Sequence, residues 1–377
     1  MKSMIETFSI VSYNVLSQKI LERTKHLYNG IHPVWLAWTT RRNLIFSTIL
    51  QTKGDIICLQ EVEEDDYYQE MLPLFEAYGY RGLYKRGTLD KTDGCAVLYK
   101  NSFLNLVEWN TVEMYRPNQC PLLNRNNIAI IARFAFEHKL KQTFVVSTTH
   151  LLYNPKRCDV RLAQLQLLLS EIARFSPDSQ ESIILCGDFN FEPDSDLYDF
   201  IIGNGLNPAN ATLKVASLSK WKQTKSESLY RSFPLELASV CMDLSPSYQV
   251  YDQKKESISQ RCTENDNKQA VAYNTMCFQS AHRYWYINPV NFMNFQNGFQ
   301  HKLQQYTTLQ ADIKHCRVVD YIFFSNSRSQ SDKSGGTLEL VAISPLPAVN
   351  NTTQPMPCGY NGSDHMYLQA FFTSTSK

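Results

Sequence analysis

The sequence has no apolar run approaching the roughly 18 residues of a membrane helix, so no membrane partner is expected. None of its ten cysteines forms a CxxC pair, which removes a zinc ribbon. It also lacks an excess of either charge: 37 Lys and Arg stand against 36 Asp and Glu, a net charge of +1. A protein that coats duplex nucleic acid is far more basic. Any nucleic-acid contact is therefore expected as a local basic rim, and DNA is not an expected partner. There is no GxxxxGK[ST] phosphate loop, no GxGxxG turn after a strand, no GxSxG elbow and no HExxH helix. The opening stretch MKSMIETFSIVSYN has no apolar segment followed by a cleavage site. A reducing compartment with free thiols follows as the expectation, cytoplasmic and with the nucleus also open. The sequons at Asn210, Asn351 and Asn361 then read as chance matches.

What is present is a series of buried-strand patterns within 377 residues, chain enough for a large core. Phe8–Val15, Asp55–Val62, Gly94–Lys100, Ile128–Phe136, Thr143–Leu151, Ser182–Asn190, Val318–Ser325 and Met366–Phe372 are rich in β-branched and aromatic residues. Several are nearly continuous apolar runs, as expected of strands covered on both faces. Helical periodicity falls between them at Arg41–Gln51, Asp66–Tyr78 and Asp159–Phe175, and Leu197–Ile202 starts another helix. In Asp159–Phe175 the leucines share one face, with Arg161, Gln164 and Glu171 off it. The class is α/β, with two stacked sheets and helices outside. The chain reads as one domain. Ser217–Lys268, dense in Lys, Ser, Gln and Glu, is expected to be a polar surface insertion. Trp285, Tyr286 and Phe292 read as core packing first, with a base-stacking wall as the alternative.

Polar residues recur where these apolar strands end. Asn14 closes SIVSYN, Glu61 closes DIICLQE, His150 closes VVSTTH, and Asp188 and Asn190 close IILCGDFN. Asp364 and His365 precede YLQAFF, and Asp320 lies inside VVDYIFF. A carboxylate after a buried strand is costly unless paired, hydrated or bound to a metal. A hard oxygen site for Mg²⁺ needs one or two carboxylates, and Glu61 and Asp364 suit it. If the chain is extended, Asp188 and Asn190 point to one side, Asp188 toward a water and Asn190 toward a phosphate oxygen. The plainer reading of Asp188 and Asn190 is an Asx turn. His365 needs a carboxylate to fix its tautomer, and Asp320 is the candidate. The plainer reading of Asp320 is an ion pair with Arg317. After His150, a helix opening near Lys156, Arg157 and Arg161 suggests a phosphate-facing rim, for which an ordinary solvated face is the alternative.

Taken in order, SYNVLSQ, LQEV, THLLYNP, GDFN, VDYIFFS and GSDH resemble the exonuclease–endonuclease–phosphatase superfamily, from Phe8 to Phe372. Within its deadenylase and nocturin branch, DGCAVLY and HLLYNPKRCDVRLAQL are similar to the Angel subgroup. The resemblance implies a four-layer sandwich of two stacked, mainly antiparallel sheets flanked by helices. It implies Mg²⁺, or Mn²⁺ in its place, on Glu61 with Asn14 and Asp364 completing or supporting the shell. His150 would contact the scissile phosphate, Asp188 position the nucleophile, and Asn190 hold phosphate. His365, oriented by Asp320, would stabilise the transition state, with Asn154, Arg157 and Arg161 on the substrate side. The implied substrate is an RNA 3′ end carrying a 2′,3′-cyclic phosphate. A 3′→5′ poly(A) exonuclease is the alternative, and a catalytically weak RNA-binding regulator a further one. The sequence departs from the subgroup at Leu123-Asn124-Arg125-Asn126-Asn127, where Asn124 and Asn126 stand in place of acids. Amino-terminal partner-binding segments found in some relatives are not expected here.

Overall fold

The computed structural model describes residues 6–177, 181–202, 248–252, 270–274, 278–281, 307–308, 317–325, 337–346 and 354–375. Its strands are β1 (Glu6–Asn14), β2 (Ile56–Glu63), β3 (Tyr80–Arg86), β4 (Asp93–Lys100), β5 (Leu104–Tyr115), β6 (Asn124–Phe136) and β7 (Lys139–His150). They continue with β8 (Ser182–Asp188), β9 (Tyr248–Asp252), β10 (Ala270–Asn274), β11 (Gln279–Ser280), β12 (Asp320–Ser325), β13 (Thr337–Ile343) and β14 (Leu368–Thr375). The helices are α1 (Gln18–Arg23), α2 (Pro33–Leu36), α3 (Trp38–Thr52), α4 (Glu64–Asp66), α5 (Leu72–Ala77), α6 (Cys158–Phe175) and α7 (Asp196–Ile201).

Two six-stranded sheets run in the orders β13-β14-β1-β2-β4-β3 and β11-β12-β8-β7-β6-β5. Each is antiparallel except for one central pair, β1 with β2 and β7 with β8. Parallel pairing needs a crossover; α1 to α3 supply the first and α6 the second. Alternate residues face opposite ways along each strand. Phe8, Ile10, Ile56 and Cys58 of one sheet therefore meet Phe134, Val146, Ile184 and Phe324 of the other in the central layer. Val11, Ile57 and Leu59 face outward onto Ile45 and Ile49 of α3, and Val145 and Leu185 face the leucines of α6. Four layers follow, and the near-continuous apolar runs are explained because both faces of the central strands are covered.

Where structure and pattern differ, the edges explain most of it. The three longer strands not anticipated, β3, β5 and β13, all lie at sheet edges. Edge strands are partly solvated, so charged residues interrupt their apolar alternation, as in the exposed stretch of β5. The helix expected over Asp66–Tyr78 is instead α4, a π turn at Tyr67–Met71 and α5. Pro73 has no N–H to continue an α ladder, and the hydrogen-bond spacing changes just before it. Arg161 and Gln164, expected off the apolar face of α6, are 4% and 0% exposed. β9 falls inside the expected insertion and pairs with β10; the rest of Ser217–Lys268, and Trp285, Tyr286 and Phe292, lie outside the described residues.

One buried cation ties α3 to the loops at the sheet ends. Arg41 is fully buried. It donates from Nε to the Gly362 carbonyl at 2.7 Å, from Nη1 to Gln18 at 2.8 Å, and from Nη2 to the Val15 carbonyl at 2.8 Å and to that of Leu16. The loop after β1 and the loop before β14 are thereby held to one guanidinium. Arg41→Met leaves these acceptors unpaired, each at about 1–3 kcal/mol when buried. We expect a loss of about 3 kcal/mol or more in urea unfolding.

Candidate active site

The carboxyl ends of both parallel pairs point to the same edge of the sandwich. At that edge His150 lies opposite Asp188 in the β7–β8 register, and Asp188 lies opposite Asp320 in the β8–β12 register. On the other sheet, β1 ends at Asn14 beside Gln60. Polar side chains there line a cleft of about 1260 Å³ that includes Glu61, His150, Asp188, Asn190, Asp364 and His365. Open α/β sheets place ligands outside strand carboxyl ends for this topological reason.

Local backbone irregularities aim the groups. The β2–β4 register shifts between Leu59 and Val62, and Glu61 within that bulge has φ 58°. A non-glycine residue there carries strain of order 1–3 kcal/mol, and bulges next to active sites re-aim side chains. Gly187 has φ 143°, and a Cβ on it would meet the Thr149 carbonyl oxygen at 2.0 Å. Only glycine lets β8 lie this close to β7 immediately before Asp188. Asn190 has φ 53°, and its backbone N–H donates to Asp188 Oδ1 at 3.0 Å. The Asx turn and the functional arrangement thus coexist, because the turn uses one carboxylate oxygen and leaves Oδ2 facing the cleft. The chain is not extended here, contrary to the simple i, i+2 expectation.

Asn14 links the two sheets. Its Nδ2 donates to Glu61 Oε1 and Asp188 Oδ2, both at 3.0 Å. Two carboxylates can face only the amide nitrogen, and Asn14 Oδ1 accepts from Leu16 N at 3.0 Å. Asn14 therefore supports the carboxylates; its oxygen is not turned toward a metal. Glu61 Oε2 accepts from Ser17 N at 3.0 Å. Asp364 Oδ2 accepts from Tyr28 Oη at 3.0 Å, and its Oδ1 has no hydrogen-bond partner. Ser363 Oγ donates to the Asn14 carbonyl at 2.6 Å, joining the Asp364–His365 loop to β1.

The two histidines differ in charge. His365 Nδ1 donates to Asp320 Oδ2 at 2.8 Å, and its Nε2 faces Asp188 Oδ2 at 3.8 Å. Burial alone would lower its pKa, but Asp320, Asp364 and Asp188 outweigh burial and raise it well above the usual histidine value. His150 lies 3.6 Å from Asp188 and 3.8 Å from Glu61. Burial, then the charges of Lys91 and His365, push His150 well below the usual value. One imidazolium and one neutral imidazole thus flank Asp188, a division of acid and base roles set by environment. Burial, then the Asp320 charge, pushes Asp188 up to about 8 despite His365. Burial, then Asp93 and Asp364, raises Glu61.

Arg317 pairs with Glu192 at 3.4 Å, not with Asp320. The basic rim takes another form than expected. Arg161 donates to the carbonyls of Leu152, Asn154 and Pro155 at 2.6–3.2 Å, so it clamps the loop after His150 and does not offer a free guanidinium to phosphate. Arg157 pairs with Asp159 at 3.0 Å, and Asn154 Oδ1 accepts from Lys156 N at 3.0 Å. Neither Asn154 nor Arg157 lines the cleft. Asn190 Nδ2 spends one hydrogen on the Leu151 carbonyl at 3.0 Å and keeps a second. Asn361, in one of the three sequons, is buried and accepts from Tyr13 Oη at 2.6 Å. Supporting residues not anticipated include Arg41, Tyr28, Ser363 and Asn127, whose Nδ2 holds the His150 carbonyl at 2.8 Å. Arg41 carried a usable signal: it precedes Ile45 and Ile49 at helical spacing, on the buried face.

A family model described as the endonuclease/exonuclease/phosphatase family matches residues 11–365. Human protein angel homolog 2 is 32% identical over 385 residues, covering 97% of this chain and 69% of that protein. The zebrafish homolog 2 is 32% identical over 388 residues, covering 97% of this chain; the chain spans 64% of that relative's length. Among solved structures, ANGEL2, a 2′,3′-cyclic phosphatase in complex with adenosine-2′,3′-vanadate, is similar with TM-score 0.70 and 28% identity over 99% of both chains. The human nocturnin catalytic domain shares the fold with TM-score 0.57 at 19% identity, covering 99% of this chain and 98% of that one.

Because Asp188 keeps its proton to about 8 in the fold but releases it near 4 when unfolded, the native state binds more protons across that window. Stability of the chelator-treated protein should therefore fall as pH rises from about 4 to 8. In Asp188→Asn the fall should be shallower by up to about 1.4 kcal/mol per pH unit. Urea unfolding at several pH values measures both; equal slopes would refute the assignment.

Proposed function

The chain belongs to the endonuclease/exonuclease/phosphatase family, and from that premise we propose that it is a divalent-metal-dependent phosphoesterase that opens 2′,3′-cyclic phosphates at RNA 3′ ends. The observation that carries the chemistry is the placing of Asp188 Oδ2, held by Asn14 Nδ2 at 3.0 Å and flanked by His150 at 3.6 Å and His365 at 3.8 Å. Likeness to ANGEL2 over nearly the whole of both chains supports the cyclic substrate.

The donor set fits a hard divalent cation. Glu61, Asp188, Asp320 and Asp364 are buried together, and Asp364 Oδ1 accepts no hydrogen bond and lies 4.0 Å from His365 Nε2. Two groups meet the geometric requirement among the described residues: Glu61 with His150 and Asp188, and Asp188 with Asp320 and His365. Asp320 already holds His365, so the Glu61 group would hold Mg²⁺, or Mn²⁺ in its place, and Asp364 Oδ1, which accepts no hydrogen bond, would be a further oxygen donor. When bound, the cation would neutralise phosphate oxygens and the leaving oxygen.

The chain's own residues do the rest. Asp188, ionised and with Oδ2 facing the cleft, takes the proton from a water attacking phosphorus. Asn14 holds Asp188 in place across the sheets. The second hydrogen of Asn190 Nδ2 can donate to a phosphate oxygen. The His365 imidazolium stabilises charge on the pentavalent phosphorus, with Asp320 fixing its ring. Breaking one P–O bond to ribose, with a solvent proton taken up by the leaving oxygen, leaves a monoester and a free hydroxyl.

Purified protein with Mg²⁺ is expected to open an oligonucleotide ending in 2′,3′-cyclic phosphate and to leave oligo(A) at full length. Shortening of oligo(A) with the cyclic end untouched would replace this reading with an exonuclease. Glu61→Gln should lower kcat/KM by about 100-fold or more and reduce the rise in melting temperature on adding Mg²⁺. Asp320→Asn should lower kcat by about 10²–10⁴-fold. Removing the Asp320 charge lowers the His365 pKa, so the alkaline limb of the pH–rate profile should move to lower pH; an unmoved limb would remove His365 as the titrating acid.

A further inference from the structure

The loop joining β3 to β4 forms one wall of the cleft. Gly87 N donates to the Asp93 carbonyl at 2.9 Å, and Thr88 N to that of Asn126 at 3.2 Å. A Cβ on Gly87 would meet Lys91 Cδ at 2.6 Å and Lys91 Cβ at 2.8 Å, so the stem of Lys91 packs where only glycine leaves room. Lys91 Nζ pairs with Asp93 Oδ2 at 3.2 Å, and the Lys91 side chain is 22% exposed. Asp93 is 2% exposed and its Oδ1 has no hydrogen-bond partner. Lys91 lines the cleft together with Glu61, His150 and Asp188. The other cleft cations are differently placed: Arg161 holds backbone carbonyls through both Nη atoms and has its Nε buried, Arg317 is 51% exposed beside Glu192, and Lys156 is exposed.

We propose that Lys91 is a substrate-binding residue whose ammonium takes a non-bridging phosphate oxygen at the His150 side of the cleft, with Asp93 as the positioning residue that holds it. This rests on the phosphoester reading above and adds a subsite to it. An ammonium has three hydrogens, and Asp93 accepts one. A buried carboxylate fixes one end of the pair, so the lysine presents a point charge without ordering a free side chain on binding. The loop would thus present a fixed positive charge to phosphate beside His150.

The test uses the full chain loaded with Mg²⁺ and inorganic phosphate as the probe, by calorimetry, alongside KM for the cyclic-ended oligonucleotide. Lys91→Met is expected to weaken phosphate binding and to raise KM, each at least fivefold, with a smaller change in kcat. Lys91→Arg should recover most of the loss. If Lys91→Met does not fold, Lys91→Gln keeps a hydrogen bond to Asp93 without the charge, and the same two readouts apply. A smaller change in phosphate affinity, or no phosphate binding by the unaltered protein, overturns the proposal; a lysine that only neutralises Asp93 would lower the melting temperature and leave phosphate affinity alone. Phosphate binding is read without turnover, so failure of the cyclic-phosphate reading leaves this result interpretable.

Discussion

The amide of Asn14, shared between Glu61 and Asp188, is the contact on which the site depends. Glu61 belongs to one sheet and Asp188 to the other. Without a donor between them, two buried carboxylates would repel each other across the sandwich. With it, the relative position of the sheets is fixed by the same atoms that set the distance between the two halves of the site. A second polar rung lies one residue deeper, where Gln60 Nε2 donates to Thr148 Oγ1 at 3.0 Å. Below that the inter-sheet layer is apolar. The site is therefore the polar end of a hydrophobic core, and its geometry is held as rigidly as that core.

Charge is unbalanced at this end. Glu61, Asp188, Asp320 and Asp364 are buried, while the positive charges close to them among the described residues are His365, Arg41, Arg161 and, at the rim, Lys91, which is paired with Asp93. Arg41 is committed to carbonyls and to holding two loops, and burial lowers its pKa even as Asp364 supports its charge. Buried carboxylates without enough partners either take up protons or bind cations. The raised Asp188 and Glu61 are the proton-loaded form of this imbalance. A divalent cation would discharge it, leaving Asp188 ionised when phosphate arrives. Structural stress in the metal-free state and competence in the loaded state are then two views of one electrostatic fact.

Much of this was legible in the sequence because buried strands announce themselves and a polar residue at their ends is anomalous. Asn14, Glu61, His150, Asp188, Asp320 and His365 all broke an apolar run or closed one. Edge strands broke no such pattern, which is why β3, β5 and β13 were not anticipated. The rim was harder. Arg157 and Arg161 looked like phosphate ligands by spacing, but Arg157 pairs with the Asp159 carboxylate and Arg161 donates to three backbone carbonyls. Lys91 gave no periodic signal because its placement depends on Gly87, four residues away and across a turn. Position on a strand can be read from periodicity; commitment of a side chain to its own loop cannot.

That distinction bears on how the scaffold could change substrate without changing chemistry. The strand-end residues are coupled through Asn14, Ser363 and Arg41, so altering one disturbs the others. The wall residues are not. The β3–β4 loop, the segment after His150 clamped by Arg161, and Ile20 of α1 each rest on separate local contacts. Even at the junction, Asn127 holds the His150 carbonyl by its side chain, and Gln164 holds Asn127 at 2.8 Å, so the loop beyond is fixed from behind and can vary in front. Asn126, the residue before Asn127, lines the cleft, and its side chain donates to Asp90 at 3.3 Å. The side chains at such wall positions can therefore change while the reaction centre stays the same.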